Sequence, residues 1–297
     1  MLETAARSTR ELELENVGRR KARPMRGLLT HAVLIVGSLI TLYPLLWMFS
    51  ASFKPQSQIF SDSSLIPSEW SLDGYITGWH GLTVGFDTFF LNSLLISSLS
   101  ITGNLIACSL AAFAFARLKF VGRRVLFGAV LLTMMLPYHV TLIPQYVLFF
   151  NLGWINTILP LVVPKFLAAD SFFIFLMVQF FRGIPFEIQE AAMIDGCSPF
   201  QIYRNVIMPL SLPVMATAAI FTFIFTWDDF FGPLVYLSDV RKYTVSLGLR
   251  TFVDGTGLSN WNAVFAMSCL ALVPVFLLFV FFQRFLIEGI ATSGLKR

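Results

Sequence analysis

Between two long apolar runs lies the stretch Ile184-Pro-Phe-Glu-Ile-Gln-Glu-Ala-Ala-Met-Ile-Asp-Gly-Cys-Ser-Pro-Phe-Gln-Ile-Tyr-Arg-Asn-Val-Ile-Met-Pro209. Its turn residues predict two short helices joined by a tight turn. Pro185 suits the start of the first helix, and Gly196 can adopt the positive φ that ends it. Ser198 can then cap the second helix, with Pro199 at its first position. This pattern predicts a helical hairpin, residues 184–209, between two membrane spans.

The runs on either side of this hairpin belong to a set of six apolar segments. The chain has 297 residues, of which 56% are hydrophobic and only 13% are charged. About a quarter of the residues in a soluble domain are charged, so this chain has too little polar surface to coat a soluble globule. A helix of about 20 apolar residues spans a bilayer. The predicted fold is an all-α, polytopic membrane protein with six transmembrane helices, at about residues 28–51, 88–115, 124–148, 165–182, 211–235 and 262–288.

Prolines modify this plan in two places. Pro137 and Pro144 break the third segment, so we expect its end to bend into a re-entrant or interfacial piece. The apolar stretch 155–164 is too short to span a bilayer alone. We expect it to lie at the outer surface, before the fourth segment.

Basic residues predict the orientation of the chain in the membrane. With the N-terminus in the cytoplasm, sixteen of the twenty-one basic residues fall on the cytoplasmic side, as the positive-inside rule requires. These sixteen are Arg7, Arg10, Arg19, Arg20, Lys21, Arg23, Arg26, Arg117, Lys119, Arg123, Arg124, Arg182, Arg204, Arg284, Lys296 and Arg297. Residues 1–26 are then a cytoplasmic tail, and residues 27–297 form the six-span domain. Because the charges flank spans, they do not indicate nucleic-acid binding.

The hairpin also carries a motif with fixed spacing. Glu190-Ala-Ala is followed by three residues, Gly196, nine residues, and then an apolar stretch that ends in Pro209. This pattern resembles the coupling loop of permease subunits of binding-protein-dependent ABC importers. Val206 and Met208 stand where the family pattern has Ile and Leu, and both replacements keep the apolar character. Without this spacing, an ordinary cytoplasmic hairpin would be the better interpretation.

The resemblance extends over about residues 25–297 and is strongest to the carbohydrate-uptake branch, specifically the G-type permease subunit of maltose transporters. It is carried by Asn92-Ser-Leu-Leu-Ile-Ser, by Ala111-Ala-Phe-Ala-Phe-Ala-Arg-Leu-Lys-Phe-Val-Gly-Arg123, and by Phe282-Gln-Arg-Phe-Leu-Ile-Glu-Gly-Ile-Ala-Thr-Ser-Gly-Leu-Lys296. The resemblance implies the transmembrane domain of a type I ABC importer. It also implies coupling to an ATPase through Glu190, Ala191, Ala192, Asp195, Gly196 and Pro209.

ATP hydrolysis is expected to take place in a separate subunit. The chain contains no Gly-x-x-x-x-Gly-Lys-Ser/Thr phosphate loop. The resemblance implies two ATP-binding cassette partners that hold ATP and magnesium, a homologous permease partner in a heterodimer, and an external solute-binding protein. No cofactor or metal is expected in this chain. The resemblance places it in the bacterial inner membrane, in contact with lipid. Six spans with the N-terminus inside put both termini in the cytoplasm.

Polar residues inside apolar segments are the candidates for the solute pathway, since such residues usually face a cavity or another helix. Asn92, Trp227, Asp228 and Asp229 are the strongest of these. Aromatic faces and carboxylates together suit sugars, because rings stack on C–H faces and carboxylates accept hydroxyl hydrogen bonds. The alternative is that Asp228 and Asp229 contact a partner subunit, or lie near water at a broken helix.

A glycerol-phosphate or polyol importer stays open as an alternative, because it would use a closely similar subunit. Proteins of other classes fit the sequence less well. A secondary transporter would be expected to carry internal repeats, and none is evident. An intramembrane enzyme would need a nucleophile or a metal motif, but the chain has neither Gly-x-Ser-x-Gly nor His-Glu-x-x-His.

Overall fold

Helices make up all the regular secondary structure in the part of the chain that the computed structural model describes, residues 24–80, 84–253 and 259–294. Most of the predicted tail, together with Lys296 and Arg297, lies outside these residues. The helices are α1 (Pro24–Ala51), α2 (Asp73–His80), α3 (Phe86–Arg117), α4 (Arg123–Met134), α5 (Tyr138–Asn151), α6 (Leu159–Phe166), α7 (Ser171–Gly183), α8 (Phe186–Ile194), α9 (Pro199–Ile202), α10 (Met208–Leu210), α11 (Leu212–Trp227), α12 (Phe231–Tyr236), α13 (Val245–Leu249) and α14 (Trp261–Gly294).

The chain divides into two units, the first ending at Ser50 and the second beginning at Ala51. The described part of the first unit is nearly all of α1. From Thr30 onward this helix is apolar enough to cross a membrane. Its large side chains, such as Ile40, are exposed, as expected for a helix that is surrounded by lipid.

Length and composition identify the spans among the described residues. Four stretches qualify as they stand: Thr30–Ala51, Phe86–Arg117, Leu159–Gly183 and Trp261–Gln283. Two bent pairs raise the number to six if each pair is one span: Arg123–Met134 with Tyr138–Asn151, and Pro199–Leu210 with Leu212–Trp227. This pattern agrees with the predicted six-span, all-α architecture.

The third and fifth spans differ from uninterrupted helices. In the third, α4 and α5 meet at an angle of 105°, and Pro137 stands at the start of α5. This confirms the predicted bend, but Pro144 lies inside α5 and does not break it. In the fifth, predicted at 211–235, Pro199–Leu210 meets α11 at an angle of 79°. Helix α11 then ends at Trp227, and a separate short helix begins at Phe231.

The prediction for residues 155–164 was wrong in part. Residues 159–164 belong to α6, which joins α7 in the single candidate span Leu159–Gly183. Pro160 occupies the first turn of α6, where its missing N–H costs no hydrogen bond. The fourth span therefore begins about six residues before the predicted position.

Two apolar cores lie along α3, which has 32 residues. The core near its C-terminal end contains Phe113, α7 residues such as Met177, and hairpin residues such as Ile202. The core near its N-terminal end contains Phe86, Trp227 and α14 residues such as Met267. Helix α3 thus packs on the hairpin at one end and on α11, α13 and α14 at the other.

Candidate coupling hairpin and solute pathway

The turn at the centre of the hairpin has the geometry that its sequence predicts. Helix α8 ends at Ile194, and Gly196 has a φ of +80°. The Gly196 N–H donates to the Met193 carbonyl at 3.1 Å, and the Cys197 N–H donates to the Ala192 carbonyl at 3.0 Å. These two bonds form a Schellman motif, which satisfies carbonyls that a helix end leaves free. The motif fixes the direction in which the chain leaves α8.

The second half of the hairpin starts with a capping box. The Ser198 N–H donates to Gln201 Oε1 at 2.7 Å, and the Gln201 N–H donates to Ser198 Oγ at 3.4 Å. Pro199 occupies the first helical turn, as predicted. A π-helical turn, Tyr203–Ile207, follows α9 and leads into α10. Both helices of the hairpin thus have defined ends.

The hairpin is attached firmly to the spans. Ile202 and Ile207 are only 2% and 1% exposed, and both belong to the core around α3 and α7. The Tyr203 hydroxyl lies 2.7 Å from Ser109 Oγ of α3, and the ring of Tyr203 packs on Phe113. A segment held in this way moves with the helices that it contacts.

Arg117 connects α3 to the start of the hairpin. This residue is the last of α3 and is only 5% exposed. Its Nη2 donates to the Phe181 carbonyl and, at 2.6 Å, to the Ile184 carbonyl. Its guanidinium lies 5.7 Å from the centre of the Phe186 ring, at the first residue of α8. From the sequence, Arg117 contributes only to the predicted orientation in the membrane. Its position at the end of a long apolar run also indicates a side chain that could bind the last carbonyls of a helix.

The outer face of the hairpin combines carboxylates with apolar side chains. Glu190 and Asp195 are exposed, and the first turn of α8 carries a further carboxylate. Ile194 is 87% exposed and Phe200 is 62% exposed. The remaining predicted coupling residues also lie at or near this surface: Ala191, Gly196 and Pro209 are exposed, and Ala192 is half-buried. Exposed apolar side chains beside carboxylates form the kind of surface that protein interaction sites use.

Trp227 lies in the core of the chain. It is 2% exposed, and its Nε1–H donates to the Ala271 carbonyl at 3.0 Å. Its ring stacks on Phe223 with centroids 5.3 Å apart, and Phe90 packs edge-on against it at 5.2 Å. In this conformation the indole does not offer a face to a solute. Its contacts instead join α11 to α14 at the point where the fifth span breaks.

Asn92 and the aspartates are placed differently from one another. The Asn92 side chain donates to the carbonyls of Arg241 and Tyr243 at 2.8 and 3.0 Å, so it holds residues 241–243 against α3. Asp229 accepts a hydrogen bond from the Gly232 N–H at 3.1 Å, which caps the start of α12. Asp228 is exposed at the break between α11 and α12. Of the four predicted pathway residues, Asp228 is therefore the most exposed, while Asn92 and Asp229 are half-buried and Trp227 is buried.

Residues suited to metal binding do not cluster in the described part of the chain, where no group of three His, Cys, Asp or Glu side chains could hold a metal ion. The three cysteines, at positions 108, 197 and 269, form no disulfide with one another. The contacts described for the hairpin and for the end of α11 are apolar packing, hydrogen bonds and charge.

Comparison with known proteins identifies the family. Residues 103–291, which include the whole hairpin, match the family described as binding-protein-dependent transport system inner membrane component. The chain belongs to this family. It is a permease subunit of an ABC importer, a transport component of the membrane rather than an enzyme. The resemblance stated from the hairpin motif is confirmed.

Two relatives show how much of the family's length the chain covers. The sn-glycerol-3-phosphate transport system permease protein UgpE of Brucella abortus is 32% identical over 278 residues, which are 91% of this chain and 98% of that protein. The arabinooligosaccharides transport system permease protein AraQ of Halalkalibacterium halodurans is 32% identical over 283 residues, 94% of this chain and 99% of that protein. The permease is thus matched nearly from end to end.

A solved structure shares the fold of this permease. It is a chain of a bacterial ABC transporter involved in the import of the acidic polysaccharide alginate. The TM-score is 0.79 at 23% identity, with 89% of this chain and 97% of that chain covered. This similarity confirms the helical fold of an ABC importer permease.

Proposed function

We propose that the permease imports an uncharged sugar or oligosaccharide, and that the hairpin couples this import to a separate ATPase. The observation that carries the coupling proposal is the hairpin itself, a doubly capped segment with a buried inner side and an exposed outer side. A rigid segment wedged into a partner transmits motion, whereas a flexible loop would absorb it. The proposed coupling residues are Glu190, Ala191, Ala192, Asp195, Gly196 and Pro209.

The apolar and the charged residues of the hairpin surface have different roles in this proposal. Ile194 and Phe200 supply exposed apolar area for a partner cleft, which is the kind of contact that gives an interface its affinity. Glu190 and Asp195 supply charge at the rim, which gives orientation more than affinity. Two ATP-binding cassette subunits would supply the ATP and magnesium sites, because this chain has no phosphate loop.

Gly196 provides the test of the coupling proposal. A Cβ at Gly196 would meet nothing within 4 Å, so Gly196→Val acts only through its positive φ, which a β-branched residue hardly tolerates. Gly153 is a matched control, with a φ of +68° and equally open surroundings. We expect Gly196→Val to abolish most solute-stimulated ATP hydrolysis in the reconstituted importer, and Gly153→Val to leave it near wild type. Equal effects of the two variants would refute the coupling role.

The nature of the solute rests on charge and on the relatives. Relatives that cover the chain are named for arabinooligosaccharides and for glycerol 3-phosphate. The exposed carboxylate of Asp228, where α11 ends, would repel an anionic solute, but it would accept hydrogen bonds from sugar hydroxyls. This favours a neutral sugar over a phosphate ester. In this proposal Asp228 contacts the solute, while Asn92, Trp227 and Asp229 hold the surrounding helices in place.

The solute proposal is tested with the binding protein and with Asp228→Asn. A panel of sugars and glycerol 3-phosphate, titrated against the purified binding protein, identifies the solute directly. Asp228→Asn keeps the shape but removes the charge, so we expect weaker transport of a neutral sugar. A binding protein that selects glycerol 3-phosphate would refute the sugar proposal and leave the coupling proposal intact.

The assembly and orientation complete the proposal. The permease would pair with a homologous permease and receive its solute from an external binding protein. The distribution of the sixteen basic residues supports a cytoplasmic location for the hairpin and both termini. Residues 1–26 are proposed as a cytoplasmic tail and residues 27–297 as the six-span permease domain. Labelling of single cysteines introduced at Gly153 and Gly196 would test the orientation, since only the first should react from outside.

A further inference from the structure

A basic cavity lies beside the hairpin, where three spans end. Helix α3 ends, α4 begins and α7 ends around it. The cavity has a volume of about 670 Å³, within the usual range for sites that hold small ligands. It is lined by four cations and two phenylalanines, among other residues: Lys119, Arg123, Arg124, Arg182, Phe120 and Phe127. Among the described residues that line it, none is acidic.

The four cations fall into two pairs. Two are held in place, since Arg123 Nη1 donates to the Leu118 carbonyl at 3.0 Å and the Arg182 guanidinium lies over the Phe127 ring at 5.1 Å. The other two, Lys119 and Arg124, are exposed. Neither has an ion-pair partner within the described residues. Like charges gathered without a counter-charge repel one another, and an anion among them relieves that repulsion.

The surroundings of the cavity are those of a membrane surface. Val121 is 100% exposed, and Val125 and Leu126 are 76% and 53% exposed. Apolar side chains exposed next to long cationic ones are typical of segments that lie between acyl chains and headgroups. The first turn of α4, which has 12 residues, adds the partial positive charge of a helix N-terminus.

We propose that this cavity binds a phosphate group, and that the phosphate belongs to the headgroup of an anionic phospholipid. Arginine side chains bind phosphate oxygens with two parallel hydrogen bonds, and lysine contributes a mobile point charge. The exposed valines would contact the acyl chains of the same lipid. The lipid would thereby hold the α3–α4 turn against the end of α7, directly before the hairpin. The site is independent of which solute the permease carries.

The test compares lipid binding by the full chain and by a charge variant. Native mass spectrometry of the purified permease in detergent measures its affinity for phosphatidylglycerol and for phosphatidylcholine with the same acyl chains. We expect a clear preference for phosphatidylglycerol, which Lys119→Gln/Arg124→Gln should reduce by about thirty-fold, counting two cations near an anionic surface. Both side chains are exposed, so thermal unfolding should match wild type. Arg241→Gln/Arg250→Gln removes two other exposed cations and should leave the preference unchanged.

Several results would decide the matter. Equal affinity of the wild type for the two lipids, or an equal loss in the Arg241→Gln/Arg250→Gln control, would overturn the proposal. Inorganic phosphate separates the two sources of the group. If it fails to displace phosphatidylglycerol the lipid assignment is supported, and if it displaces the lipid at low concentration the ligand is free phosphate and the lipid assignment is refuted. A charge variant that keeps its lipid preference but no longer co-purifies with the ATPase would assign these cations to subunit docking instead.

Discussion

Replacing Arg117 by methionine should loosen the hairpin while leaving the rest of the permease folded. The substitution keeps the length of the side chain and removes every donor. The carbonyls of Phe181 and Ile184 then lose their charged partner, and Phe186 loses its guanidinium contact. Hydrogen bonds to a charged group contribute roughly 1.5–3 kcal/mol each. Returning a buried guanidinium to water in the unfolded segment offsets part of this sum, so we expect a net local loss of about 3 kcal/mol.

Hydrogen–deuterium exchange in nanodiscs would measure this loss locally. A change of about 3 kcal/mol in local opening corresponds to roughly a hundred-fold faster exchange. We expect that acceleration in α8, while α2, on the other end of the molecule from the hairpin, keeps its wild-type rate. Arg250→Met is the matched control, because Arg250 is exposed. Unchanged exchange in α8, or equal acceleration in α8 and α2, would refute the view that Arg117 anchors the hairpin.

Three further predictions concern single contacts. Ser198→Ala removes one side of the capping box and should lower the free energy of unfolding by about 1 kcal/mol. The thermal midpoint should fall accordingly, and Ser198→Asp should restore it. Trp227→Phe removes the hydrogen bond to a buried carbonyl and part of a packed ring. It should lower the free energy of unfolding by about 2–3 kcal/mol, measured by thermal or denaturant unfolding, and leave the solute affinity unchanged. A large change in solute affinity without a loss of stability would show instead that the ring lines the solute pathway. Hydrogen bonds from Ser64 and from the Ser68 hydroxyl, with help from Lys54, hold the pKa of Asp62 well below its ordinary value. The contribution of Asp62 to stability should therefore be complete above about pH 5 and fall as the pH drops below about 4. Acid unfolding of Asp62→Asn should be less dependent on pH in this range.

The parts of the fold that depend on local chemistry could be predicted from the sequence. The positive φ of Gly196 and the cap at Ser198 follow from residues within a few positions of one another. The bend at Pro137 is likewise local, but Pro144 shows the limit of such reasoning. Whether a proline breaks a membrane helix depends on which neighbouring groups satisfy the carbonyl that it frees, and the sequence does not name those groups.

Long-range contacts account for what sequence reasoning missed. Arg117 and Ile184 are 67 positions apart, so no spacing rule connects them. The sequence predicts Trp227 as a pathway residue, because a tryptophan beside two aspartates suits a sugar. The structure places Phe223 one helical turn earlier against its ring, and places α14 against its N–H. Periodicity alone does not distinguish a side chain that faces a cavity from one that faces a neighbouring helix.

Helix α3 connects the contacts near Asn92 with those of the hairpin. At 32 residues and 1.5 Å per residue, it is about 48 Å long. Near its start, Asn92 binds the carbonyls of Arg241 and Tyr243, and Ser93 Oγ accepts the N–H of Val245. Near its end, it binds the hairpin through two further contacts, Ser109 with Tyr203 and Arg117 with Ile184.

Helix α3 therefore joins residues 241–245, at its N-terminal end, to the hairpin proposed to meet the ATPase. Because packed helices shift as units and do not deform continuously, a displacement of the hairpin must tilt or slide α3. A movement of α3 carries with it residues 241–245, which Asn92 and Ser93 hold. On this argument Asn92 serves transport without touching the solute. Loss of its side chain should therefore uncouple solute delivery from ATP hydrolysis more than it weakens solute affinity.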